Sequence, residues 1–122
     1  MVDGWMPPLP PEVFGVGPDQ PELQALLEQK LQPHPTRTWT DPIRLPASFR
    51  PEDFQPVYVH ATSPALSPSS FPFHYARLSR RREWRTATLA TGHDLMLTRP
   101  EDVACVIQSA AQSGASLRRC LP

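Results

Sequence analysis

The chain has 122 residues, among them 17 prolines, and its 12 basic and 12 acidic residues give a formal net charge of zero. That balance creates no long-range field that would favour nucleic acid or an anionic membrane, so we predict neither as a partner. No run of 18 apolar residues occurs and the N-terminus lacks the pattern of a signal peptide, so the expectation is a cytoplasmic protein.

The first half of the chain is rich in proline and is predicted to be mostly irregular. Fifteen of the 17 prolines precede residue 73, and a proline in the interior of a helix or a sheet removes a backbone hydrogen bond. The segment 6–11, Met-Pro-Pro-Leu-Pro-Pro, has two interpretations. It is either a ligand for an aromatic-lined peptide-binding domain or a surface loop, and we favour the loop because such short motifs are common.

One helix is predicted within this half. Asp19 is placed as its cap and Pro21 in its first turn, and leucines then recur at helical spacing as far as Leu31. Pro33 and Pro35 end the helix, and extended or turn structure is expected from residue 34 to residue 50.

Two strands are predicted in the second half, at residues 56–61 and 84–90, because both segments are rich in β-branched or aromatic residues. A loop at 63–70 and a helix within 71–82 separate them. A connection of more than twenty residues favours a parallel crossover over a hairpin. The arginines at 80, 81, 82 and 85 are interpreted as a solvated helix end rather than as a nucleic-acid patch.

A second amphipathic helix is predicted after Thr98, with apolar residues at helical spacing as far as Gly114. Thr98 and Glu101 fit a capping box, and Pro100 fits the first turn. Cys105 falls within this helix, where a small buried thiol is ordinary. We do not predict a disulfide between Cys105 and Cys120. Two cysteines cannot form a four-ligand metal site, and we predict no metal or cofactor.

His93 is the candidate catalytic residue. It follows the second strand, and the carboxyl ends of parallel strands are where open α/β sheets place their ligand-handling groups. Gly92, directly before it, permits a sharp turn. Position alone leaves two interpretations open, a site residue and a solvated loop histidine.

The segment 90–104, Ala-Thr-Gly-His-Asp-Leu-Met-Leu-Thr-Arg-Pro-Glu-Asp-Val-Ala, resembles the last strand, histidine loop and last helix of the α/β-hydrolases. The resemblance is strongest to the branch that contains plant methylesterases, hydroxynitrile lyases and their bacterial relatives. In that branch the histidine is followed by methionine three residues on and by proline seven residues on, as Met96 and Pro100 follow His93 here. Residues 21–31, Pro35 and Pro42 resemble the helix and proline-rich return from the cap region, and residues 57–62 resemble the penultimate strand. The resemblance therefore extends from about Pro8 to Ala111.

The resemblance implies hydrolysis of an ester or a related carbonyl substrate by a serine, acid and histidine triad, with His93 as the histidine. No G-x-S-x-G elbow occurs in the chain. The serines at 63, 67, 69 and 70 are interpreted as loop residues. No acidic residue lies between Asp53 and Glu83, and Asp94 is expected to point away from His93. We therefore predict that the chain is inactive alone.

The predicted fold class is α/β, the C-terminal part of an α/β-hydrolase with two parallel strands. Residues 1–55 form a proline-rich cap remnant with a short helix, 56–114 form a β-α-β-α part of the core, and 115–122 form a loose tail. The expected partner is a small ester-like substrate of the full-length parent, which gene fragmentation or a misplaced start would have truncated. One alternative is a non-catalytic module that binds a partner or completes another chain's sheet at its open edge. The other is a proline-rich adaptor that uses residues 6–11.

Overall fold

The computed structural model describes residues 4–112, 117 and 120. The chain divides between Phe49 and Arg50 into two compact units. Among the described residues, no helix combines the length and the apolar character that crossing a bilayer requires. The architecture is mixed α/β, as predicted.

The first unit contains a two-stranded antiparallel ladder, a 3-10 turn and two helices. Strands β1 (Trp5–Met6) and β2 (His34–Pro35) pair with each other, and the 3-10 turn covers Pro11–Phe14. Helix α1 covers Pro21–Lys30 and α2 is a single turn at Arg37–Thr40. The leucine-rich helix is therefore confirmed.

The cap of α1 was predicted wrongly. The cap residue is Gln20, with no side-chain capping bond. The Gln20 amide bonds to the carbonyl oxygen of Gly17 at 2.9 Å, so the chain turns one residue later than expected and Asp19 lies outside the capping position. Leu27 is the buried residue of this helix, and Val16, which precedes the helix, is fully buried.

The second unit contains the predicted parallel pair. Its elements are a 3-10 turn at Pro51–Phe54, strand β3 at Val57–Ala61, helix α3 at Phe71–Leu78, strand β4 at Arg85–Leu89, helix α4 at Leu95–Thr98 and helix α5 at Pro100–Ala111. β3 and β4 run parallel, with Val57 opposite Arg85 and Ala61 opposite Leu89. The long connection through α3 thus forms the expected crossover.

The two helices α3 and α5 pack on opposite faces of this sheet, because side chains alternate along a strand. On one face the Tyr58 hydroxyl donates to the carbonyl oxygen of Phe71 at 3.4 Å, and the His60 ring stacks on Tyr75 of α3 with 5.5 Å between centroids. On the other face, side chains of both strands pack against the core around Val106 of α5.

The start of α5 differs from the predicted capping box. Pro100 occupies the first turn as expected, but the cap residue is Arg99 and it makes no side-chain capping bond. Thr98 instead ends α4, and its hydroxyl lies 2.5 Å from that of Thr91. A tertiary contact therefore uses the hydroxyl that the sequence pattern assigned to the helix end. The predicted stop at Gly114 lies outside the described residues, and α5 ends at Ala111.

A disulfide joins Cys105 to Cys120, contrary to the prediction. Their Cα atoms lie 5.4 Å apart, within the range that a disulfide bridges. The physical reason is burial: Leu117, in the predicted tail, is 8% exposed and forms an apolar cluster with Val106 and Cys120. That cluster brings Cys120 back to α5, which sequence separation alone did not indicate.

The arginine cluster divides into two roles. Arg80, Arg81 and Arg82 are exposed, as predicted for a solvated segment. Arg85 is half-buried and its guanidinium donates to the carbonyl oxygens of Ser109 and Ala110, both at 3.1 Å. These carbonyls belong to the last turn of α5, where a cation is favourable, so Arg85 stabilises the end of this helix.

Candidate functional site

His93 follows β4 at the carboxyl end of the parallel pair. Thr91 and Gly92, directly before it, are buried. The Thr91 amide bonds to the carbonyl oxygen of Leu89 at 2.9 Å, and the Thr91 carbonyl accepts the Ser63 amide at 3.1 Å. The bond between Ser63 and Thr91 joins the loop after β3 to the loop after β4. Gly92 does not adopt a positive φ, so the turn does not use the conformational freedom for which the glycine was singled out.

The side chain of His93 is positioned by an aromatic contact. Its ring lies nearly parallel to that of Phe71, with 4.8 Å between the centroids and 8° between the planes. Phe71 is the first residue of α3, so the helix on one face of the sheet orients a histidine that follows the neighbouring strand. The His93 side chain is half-buried.

His93 borders a cavity of about 250 Å³. Most of the lining is apolar, and among the residues that the structure describes no aspartate, glutamate, lysine or arginine contributes to it. Its lining residues are Tyr58, Val59, His60, Ala61, Leu66, Ser69, Phe71, His93, Leu95 and Met96. The polar groups in the wall are thus two imidazoles, a phenol and one serine hydroxyl.

Three polar lining residues, Tyr58, His60 and Ser69, are not among the site residues predicted from the sequence. Ser69 lies in the predicted loop, as expected, yet it borders the same cavity as His93. His60 was interpreted only as part of a strand. Side chains alternate along β3, so the sequence places Tyr58 and His60 on the same face of the sheet, and this pattern could have identified His60. The position of Ser69 depends on how its loop folds, which no local pattern indicates.

The two residues that carry the resemblance behind His93 have different roles. Met96 borders the cavity and is 53% exposed. Pro100 does not line it and instead begins α5. One of the two is therefore placed to contact a ligand, and the other defines the helix that follows.

Asp94 is the acidic residue next to His93. Burial raises the pKa of its carboxyl, and the positive charge of His93 opposes that rise. The Asp94 carbonyl oxygen accepts the amides of Leu97 and Thr98 at 2.9 and 3.2 Å. Its backbone thus starts α4, and the expectation that its carboxyl does not orient His93 stays a prediction.

Within the described part of the chain, no group of three or more histidine, cysteine, aspartate or glutamate side chains is arranged to hold a metal ion. In the first unit, a second cavity of about 370 Å³ is bordered by residues 8–12, Glu28 and Leu31. Part of the proline-rich segment therefore forms a cavity wall.

Comparison of the chain with protein-family models, with curated proteins and with solved structures finds no match. The resemblance to the α/β-hydrolases thus depends on the residues around His93 and on their order along the chain.

Proposed function

We propose that this chain is the C-terminal part of an α/β-hydrolase-type enzyme, in which His93 is the acid–base residue for hydrolysis of an ester or a related carbonyl substrate. The observation that carries the proposal is the position of His93, after a parallel strand and in the wall of a mostly apolar cavity. Cavities with a few convergent polar groups are where small ligands bind.

The aromatic contact with Phe71 supports this role because a general base must be held in a defined orientation. His93 would take the proton from a serine hydroxyl as that oxygen attacks the carbonyl carbon. It would then return the proton to the departing alkoxide. The apolar side chains around the cavity would exclude water from the reacting groups.

The chain by itself is proposed to be inactive towards esters. Its sequence contains no G-x-S-x-G elbow, which in such enzymes exposes the serine at a strand-to-helix turn. Ser69 borders the cavity but belongs to a loop, and it lacks the flanking glycines of an elbow. Substituting the orienting acid in a serine protease lowers turnover about 10⁴-fold. The lack of an identified acid therefore lowers the expected rate of ester hydrolysis further.

Hydrolysis of p-nitrophenyl acetate by the purified chain tests the inactivity. We expect no rate above that of the His93→Gln variant. Turnover that His93→Ala abolishes would overturn the proposal that the catalytic machinery of this chain is incomplete.

Ligand binding tests the positive part of the proposal. Titration with methyl acetate, followed by NMR of the histidine ring protons, should shift the signals of His93. A shift at His93 together with unmoved signals of His74 would support the site, because His74 lies on α3 outside the cavity lining. Equal shifts at His74 and His93 would refute it.

A second candidate function is a non-catalytic binding module. The observation that favours it is the composition of the cavity wall, in which four consecutive residues of β3 take part. A folded, monodisperse chain in size-exclusion chromatography, with the circular dichroism of a mixed α/β protein, would favour this module. Aggregation or weak structure would favour a remnant of a larger enzyme.

A further inference from the structure

We infer that the open edge of β3 binds an extended, uncharged peptide segment, which adds to the sheet as a third strand. This inference rests on the second candidate function and requires no ester chemistry at His93.

The cavity lies along the edge of β3. Its lining includes Tyr58 and His60, whose side chains point to the α3 face, and Val59, whose side chain points to the α5 face. Residues 58–61 of β3 all line the cavity, whereas no described residue of β4 does. β4 occupies one edge, so the cavity lies on the other.

The backbone groups on that edge are directed towards the cavity. At the two ends of the ladder, the Arg85 amide bonds to the carbonyl oxygen of Pro56, and the Thr62 amide bonds to that of Leu89. Alternate residues of a strand bond to the same neighbour, so residues 56, 58, 60 and 62 face β4. The amides and carbonyls of residues 57, 59 and 61 therefore point away from β4, and among the described residues no strand pairs with them.

The walls beside this edge determine the chemistry of the occupant. Leu66, Ser69 and Phe71 come from the segment that follows β3, and His93, Leu95 and Met96 come from the segment that follows β4. Within the described part of the chain, no lining residue carries a carboxylate, an ammonium or a guanidinium group. Burying a charged side chain there would therefore leave it without a counter-ion. The occupant is consequently expected to place small or medium apolar side chains in the cavity.

The backbone groups of this edge favour a strand over a helix. A helix bonds its own amides and carbonyls internally, so it would leave those of residues 57, 59 and 61 without partners. An extended segment of about five residues matches the length of β3 and can bond to residues 57, 59 and 61, as in other cases of strand addition.

Amide hydrogen exchange of the full-length ¹⁵N-labelled chain tests the inference, with acetyl-Thr-Val-Thr-Val-Thr-amide as the probe. At ten times the dissociation constant, we expect exchange at Val57, Val59 and Ala61 to slow about tenfold. Exchange at Tyr58 and His60, which bond to β4, should not change. Protection confined to residues 93–96 would overturn the inference, since the peptide would then occupy the cavity without pairing.

A peptide of the same sequence, N-methylated at its three central residues, supplies the control. Each hydrogen bond that methylation removes should weaken binding about two- to tenfold. Equal affinity of the two peptides would contradict strand addition. Concentration-dependent protection of residues 57, 59 and 61 without peptide would assign the edge to a second copy and would also overturn the inference.

A matched pair of variants separates the two edges of the sheet. Ala61→Pro removes an amide from the β3 edge, whereas Thr88→Pro removes one from the outer edge of β4, and neither amide belongs to the β3–β4 ladder. We expect the first substitution to weaken peptide binding at least about fivefold and the second to leave it unchanged. Equal effects would refute the assignment of the edge. No hydrolysis is measured, so a failure of peptide binding leaves the hydrolase proposal standing. A chain that binds the peptide but hydrolyses no ester supports strand addition and not the hydrolase proposal.

Discussion

The ring of Phe71, at the start of α3, lies parallel to the ring of His93, which follows β4, with 4.8 Å between their centroids. The contact joins a helix on one face of the sheet to the loop at the carboxyl end of the neighbouring strand. It holds the candidate catalytic imidazole in the wall of the cavity, and its removal should affect both stability and the orientation of the ring.

Phe71→Leu should lower the free energy of unfolding by about 0.5–1.5 kcal/mol, because leucine retains an apolar side chain but not the aromatic stack. Urea denaturation measures this change, and the ring-proton shifts of His93 report the lost stack. Phe73→Leu is the matched control, since Phe73 lies on the same helix and is 66% exposed. Equal destabilisation by both substitutions would argue against a specific role for the stack.

Reduction of the Cys105–Cys120 disulfide should lower the free energy of unfolding by about 3 kcal/mol, the loop-closure contribution expected for 15 residues. Urea denaturation with and without a phosphine reductant measures the difference. The double variant Cys105→Ser/Cys120→Ser should be insensitive to the reductant. A wild-type midpoint that does not move on reduction would mean that the bridge is absent in solution or contributes nothing.

Arg85→Gln should destabilise the second unit by about 1–3 kcal/mol, because it removes charged hydrogen bonds to two carbonyl oxygens at the end of α5. The exposed Arg80 provides the control, and Arg80→Gln should change stability by less than about 0.5 kcal/mol. Thermal unfolding followed by circular dichroism compares the two variants. The role assigned to Arg85 fails if they unfold at the same temperature.

Asp94→Asn should stabilise the chain at neutral pH. Burial raises the pKa of the Asp94 carboxyl in the folded state, so the folded chain holds this proton more tightly than the unfolded chain does. The stability that the protonated carboxyl provides is complete below the ordinary aspartate pKa, about 4, and is lost as the pH rises through the raised value.

The asparagine variant lacks this titration, so its advantage should disappear as the pH falls below about 4. Urea midpoints of both proteins at several pH values measure the difference. Asp53→Asn serves as the control because Asp53 is exposed. An advantage of Asp94→Asn that is independent of pH would contradict the explanation by burial of the charge.

Local patterns in the sequence determined most of the elements. The leucine spacing of α1, the β-branched run of β3 and the apolar spacing of α5 each identified an element to within a few residues. The position of His93 after β4 also followed from the sequence, because a strand followed by a loop and a proline-started helix is defined by adjacent residues.

The tertiary structure decided the contacts between residues that are distant in the chain. Phe71 reaches His93 across 22 residues, and Cys120 returns to Cys105 only because Leu117 is buried beside Val106. The hydroxyl of Thr98 contacts Thr91 rather than the start of α5. Each outcome depends on which apolar surfaces pack together, and the energy of that packing exceeds the small preferences that capping patterns express. The sequence by itself therefore located the candidate histidine, whereas packing determined the cavity beside it and the strand edge that the cavity borders.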